Sequence, residues 1–157
     1  MTNSNNTNTD AVSMLKADHE KVQTLFTDYE KASTNKQKKD LVEKICTELK
    51  VHAQLEEEIF YPAFKAAHKD KLLVPEATVE HATIEDLIEQ LEGSEPDGEA
   101  YDAKVKVLSE YVKHHVKEEH SEMFTKAKTD SLDLEELGAL MAERKVDLLA
   151  EHDGKGA

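Results

Sequence analysis

The stretch HHVKEEHSEMF, residues 114–124, places three histidines and three glutamates in eleven positions. Imidazole and carboxylate groups bind cations, move protons near neutrality, or simply stand in water, and the outcome depends on which way they face. Helical winding of about 100° per residue decides this. Measured from Leu108, the residues Val112, His115, Glu119 and Met123 all fall within about 60°, on one apolar stripe. His114 and Glu118 lie roughly 100° away, on the flank. His115 and Glu119 therefore stand one above the other on the face that turns toward a core.

The segment HAQLEE repeats the arrangement. His52 and Glu56 share a stripe with Leu41, Ile45, Leu49 and Ile59, while Glu57 and Glu58 fall outside it. His19 shares a stripe with Leu15, Val22 and Phe26, and His81 with Ala77, Ile84 and Ile88. Every long helical segment thus aims one histidine at the core. The separations agree too: 33 residues from His19 to His52, and 34 from His81 to His115. DH followed by HAQLEE, then EH followed by HVKEE, is a weak two-fold internal repeat carried by these polar residues.

Four imidazoles and two carboxylates at a common depth cannot be buried unpaired, at a cost of several kcal/mol each. Bound metal is the compensation this donor set suits. Nitrogen and oxygen donors without thiolate point to iron, manganese or zinc. Two ions of five- or six-fold coordination want about ten to twelve donors, more than the six side chains supply. Glu85, an oxo or hydroxo bridge and an exchangeable position would fill the difference. Glu85 lies one turn after His81 but at the stripe's edge, so a ligand and a solvated glutamate are both open readings. Its equivalent in the repeat is Gln23, which demands no ligand there.

These residues need long helices to hold them. Apolar spacing of three and four residues predicts a first helix from about 10 to 31, capped by Asp10, and a second from about 35 to 67. Pro75 suits the first turn of a third helix ending near Gly93. A fourth follows the GSEPDG turn to about 128, and a shorter fifth ends near His152. Short connections between long amphipathic helices make antiparallel neighbours. The expected fold is all-α: an up-down antiparallel four-helix bundle with an additional short C-terminal helix. It forms one domain over 10–152, with a polar tail at 1–9 and a frayed end at 153–157.

Composition agrees with helix: 34% charged residues, 5% aromatic, five glycines and three prolines. A formal charge of −14 counts against nucleic-acid or anionic-membrane partners and is compatible with cations. No apolar run approaches the roughly 20 residues of a membrane span, and the start lacks a signal-peptide pattern. A single cysteine, Cys46, expected to be an inert packed side chain, fits a reducing cytoplasm.

One histidine on the first helix, His-x-x-x-Glu-Glu followed by IFYPAF on the second, Glu-His on the third and His-x-x-x-Glu-Glu on the fourth resemble the hemerythrin-like HHE cation-binding domain, over about residues 11–128. Carried over by position, the family's ligands are His19, His52, Glu56, His81, His115 and Glu119, the six already chosen by facing. The resemblance implies a non-haem di-iron centre that binds oxygen, in carriers, sensors or iron stores. Oxygen-carrying hemerythrins have a histidine where this chain has Glu85, and space the fourth-helix ligands five apart rather than four. The more anionic site here favours the ferric state over reversible carriage. Thr125 also follows Phe124 where Pro62 follows Tyr61.

His114 and His120 are expected to be solvated, with His68 near a helix end and His152 at a frayed one. Phe26, Phe60 and Met123 are expected in the core, walling a dry pocket. The leading functional expectation is a cytoplasmic di-iron protein that binds dioxygen or nitric oxide for sensing, storage or protection. An iron or cation buffer is the second, and a di-iron enzyme acting on peroxide or nitric oxide the third, because no dedicated proton donor is visible in the sequence.

Overall fold

The computed structural model describes residues 10–68, 72–96, 98–129 and 132–156. The proposed tail at 1–9 lies outside them. Helix α1 spans Ala11–Lys31, and its N-cap Asp10 accepts a hydrogen bond from the Ser13 amide, as its position before the apolar repeat predicts. Helix α2, Asn35–Leu55, starts from a capping box in which Thr34 and Gln37 satisfy each other's free amides. It passes through a π-helical turn, Glu56–Phe60, into α3, Tyr61–Ala67. Helix α4 covers Leu73–Glu92, so Pro75 falls within the first turn. Helix α5, Glu99–Glu118, starts after Gly98, whose φ of 138° is reached easily only by glycine. A second π-helical turn, Glu119–Phe124, leads into α6, Thr125–Thr129. Helix α7 spans Leu134–Gly156.

Helix α1 packs on α2, α2 on α4, α4 on α5 and α5 back on α1, which closes the four-helix bundle; α7 lies across α1 and α2. The expected short fifth helix is in fact 23 residues long and runs past His152 to Gly156. Its buried residues Met141 and Leu148, two turns apart, dock a long face on the bundle, which extends the helix beyond what its polar composition suggests. No helix among the described residues is long and apolar enough to cross a membrane.

The interior is two apolar clusters separated by a polar layer. One contains Leu15, Leu55, Phe60, Phe64, Phe124 and Met141; the other contains Val22, Phe26, Ile45, Ile88, Leu108 and Val112. Between them lie the buried polar residues Asp18, His52, Glu56, His81, His115 and Glu119. Cys46 is 1% exposed, and burial, with the nearby Glu92 charge, pushes its thiol up to about 12. This is the packed side chain that was expected.

The two π-helical turns change which residues face inward. Uniform α-helical winding would align Ile59 with Leu41 and send Tyr61 to the opposite side. A wider turn inserts an extra residue, so Ile59 is only partly buried whereas Tyr61 is 2% exposed. Phe124 is brought inward beside Met123 in the same way after Glu119.

Candidate metal centre

Each of the six expected donors comes from a stretch of regular α-helix or from the first residue of a π-helical turn, and the structure brings all six together. His19, His52, Glu56 and Glu119 each offer an atom within 4.8 Å of the others, and Glu56, His81 and His115 do the same. Glu56 belongs to both groups. His19 and His52 approach through their Nε2 atoms at 3.0 Å, and His81 and His115 at 3.2 Å. Glu85 is exposed and joins neither group among the described residues; it stands at the rim of a crevice above the centre.

The outward Nδ1 atoms are all engaged. His52 Nδ1 faces Asp18 Oδ2 at 3.1 Å, His81 Nδ1 faces Glu57 Oε2 at 2.7 Å, and His115 Nδ1 faces Glu80 Oε1 at 2.6 Å. His19 Nδ1 faces His120 Nε2 at 2.8 Å. Facing carboxylates, which can only accept, His52, His81 and His115 donate from Nδ1, and this directs the Nε2 lone pair inward. Lone pairs 3.0–3.2 Å apart repel unless a proton or a metal ion lies between them. Asp18 is held in turn by Lys145 of α7, at 2.7 Å.

Charge makes the same demand. Burial alone would raise the Glu56 carboxyl, but His52 and His81 beside it hold it well below the usual carboxylate range. Burial would likewise lower His52, yet the Glu56 charge and the Asp18 hydrogen bond raise it well above its ordinary value. His81 rises to about 10 against its own burial, through Glu56 and Glu57. The centre is therefore a buried anionic site that attracts protons or cations.

Donor chemistry and unsatisfied atoms show that a metal fits. Glu56 Oε2 and Glu119 Oε1 are buried without a hydrogen-bond partner. They face His52 Nε2 at 3.3 Å and His19 Nε2 at 3.2 Å, as donors converging on a common ion would.

Several residues at the centre escape the stripe calculation. The Tyr61 hydroxyl lies 2.6 Å from Glu119 Oε2, 3.1 Å from Glu56 Oε1, and 3.3 and 3.4 Å from the Nε2 atoms of His81 and His115. Burial and the two carboxylate charges raise its pKa well above the ordinary value, so it carries its proton. The expectation that His120 is solvated is corrected: it is half-buried against His19, whereas His114 is exposed as expected. Asp18 and Glu80 precede the helix-leading histidines in the DH and EH pairs. Their cross-helix partners follow from bundle register, which no single-helix pattern contains.

A crevice of about 30 Å³ opens over the four histidines, walled chiefly by Leu49, Ile84, Ile88 and Val112. Phe26, Phe60 and Met123 are buried in the two apolar clusters, as expected of core residues, and none of them lines this crevice. A larger open groove of about 440 Å³ near Tyr29 and Asp102 contains none of the six donors. Glu80, His114 and Glu118 form a third group outside the centre, open to water.

Residues 10–127 match the family description "Hemerythrin HHE cation binding domain". The chain resembles a solved structure of a hemerythrin HHE cation binding domain-containing protein from Mycobacterium kansasii, with a TM-score of 0.79 and 25% identity over 90% of this chain and 88% of that one. It is also 27% identical over 111 residues to a DNA nickase from a Nostoc species. That match covers 71% of this chain and only 31% of the nickase.

Proposed function

The chain belongs to the hemerythrin HHE cation binding family, and from that premise we propose that its buried centre holds two iron ions and binds dioxygen or nitric oxide, for sensing, storage or protection. The observation carrying this reading is the arrangement of donors as two groups sharing Glu56, with Glu119 beside both. A metal pair, when bound, supplies electrons and an exchangeable coordination position. The chain's own residues set the conditions. Asp18, Glu57, Glu80 and His120 hold the four imidazoles in one tautomer, and Glu56 and Glu119 offset cationic charge. Leu49, Ile84, Ile88 and Val112 keep the approach apolar, with room for a molecule the size of water. Manganese or zinc suits the same donors.

The nickase activity belongs to the Nostoc protein; a formal charge of −14 counts against a DNA partner for this chain. The buried free thiol of Cys46 is compatible with a cytoplasmic location.

Tyr61 favours a second reading, an enzyme acting on peroxide or nitric oxide. Its hydroxyl places a proton among the converging donors, the proton source that the sequence did not reveal. Anaerobic iron loading followed by oxygen exposure separates the readings. A visible absorption band that appears and reverses supports binding or sensing, and irreversible ferric formation supports an iron buffer. Rapid peroxide consumption that disappears in Tyr61→Phe supports the enzyme. Protein that takes up no iron under these conditions overturns the proposal.

A further inference from the structure

The sequence repeat becomes an approximate two-fold relation around the centre. Asp18 precedes His19 and holds His52; Glu80 precedes His81 and holds His115. Glu57 follows Glu56 and holds His81 from 2.7 Å, while the residue in the same place after Glu119 is His120, which holds His19 from 2.8 Å. Five residues after Glu56 stands Tyr61, and five after Glu119 stands Phe124. Tyr61 sends a hydroxyl among the donors, whereas Phe124 stacks on His19 with ring centroids 6.0 Å apart and offers no polar atom.

Both departures from symmetry fall on the same half. The His81–His115 half is backed by two carboxylates and faces a phenol oxygen. The His19–His52 half is backed by a neutral imidazole and by Asp18, whose charge Lys145 offsets at 2.7 Å. A carboxylate behind an imidazole makes it a stronger donor and adds negative charge near the ion. An imidazole accepts the same hydrogen bond and fixes the same tautomer without that charge.

We propose that the two cation positions are unequal: the His81–His115 position fills first, and the His19–His52 position is weaker and exchangeable, with His120 the positioning residue that sets it. This rests on the two-ion reading above and adds an order of filling.

Zinc alone, titrated calorimetrically into the whole chain, tests it. The native protein should bind two ions in two steps whose dissociation constants differ by about tenfold or more, the range by which such backing groups alter metal affinity. His120→Glu should tighten the second step by about tenfold and leave the first in place. Glu57→His should weaken the first until the steps merge, which keeps the test open if His120→Glu folds poorly. Nitrogen NMR of the zinc-loaded protein should show His120 protonated at Nδ1, accepting at Nε2 from His19. Two ions bound with a single constant, an unmoved second step in His120→Glu, or a proton on His120 Nε2 would each overturn the inference. Saturation at one ion would instead overturn the two-ion reading beneath it.

Discussion

His114 and His115 are adjacent and chemically identical, but the helix makes one a surface group and the other a buried member of the converging cluster. His115 Nε2 lies 3.6 Å from Glu119 Oε2 in the buried layer, whereas the His114 side chain is 65% exposed beside Glu118. We expect His115→Ala to lower metal affinity at least tenfold, by analogy with the cost of disturbing groups one layer further out, and His114→Ala to leave it nearly unchanged. Glu119→Ala should do more damage than Glu118→Ala; metal titration of the four variants checks both comparisons. The inward facing of the six candidate donors was legible in the sequence because winding is regular up to Glu56 and Glu119, so 100° steps hold to there. Tyr61 was not legible, because it lies beyond a π-helical turn that resets the register. His120 and Asp18 were missed for another reason: their partners sit on a neighbouring helix, and facing within one helix carries no information about that.

Both π-helical turns begin at the carboxylates Glu56 and Glu119, so the extra residue sits beside the donors. Such turns weaken the regular i→i−4 ladder and recur at functional sites, where they re-aim side chains. Here the effect is to present Tyr61 and Phe124 to the centre. Four helix spans could be read from apolar spacing and caps to within a few residues, but the length of α7 could not, since its stability comes from docking rather than from its own pattern. That docking reaches the centre. Lys145 holds Asp18, which orients His52, and the neighbouring Arg144 pairs with Glu58 at 2.9 Å. Lys145→Met should therefore raise the rate at which a chelator extracts metal, whereas Lys36→Met, which removes an exposed pair with Asp40, should not. Equal extraction rates in both variants would show that α7 merely covers the bundle.

For the whole molecule, a buried anionic layer between two apolar clusters makes folding depend on what neutralises it. Metal bound by the native state and absent from the unfolded chain stabilises the fold, so chelation should lower the melting temperature by several degrees. An unchanged melting temperature would mean that protons satisfy the layer as well as metal does. Cys46 provides a pH-dependent check on the packing. Its thiol is raised in the folded state from an ordinary value near 9 to about 12. The unfolded chain therefore loses this proton first, and stability should fall as pH rises from 9 toward 12. Below pH 9, alkylation of Cys46 should be slow until denaturant unfolds the chain. An anomalous-scattering map of crystals grown from iron-loaded protein shows directly whether the converging side chains hold a metal pair. We predict two buried peaks per chain, one beside His19 and His52 and the other beside His81 and His115, with Glu56 between them. A single buried peak, or metal confined to the exposed Glu80, His114 and Glu118 group, would contradict it.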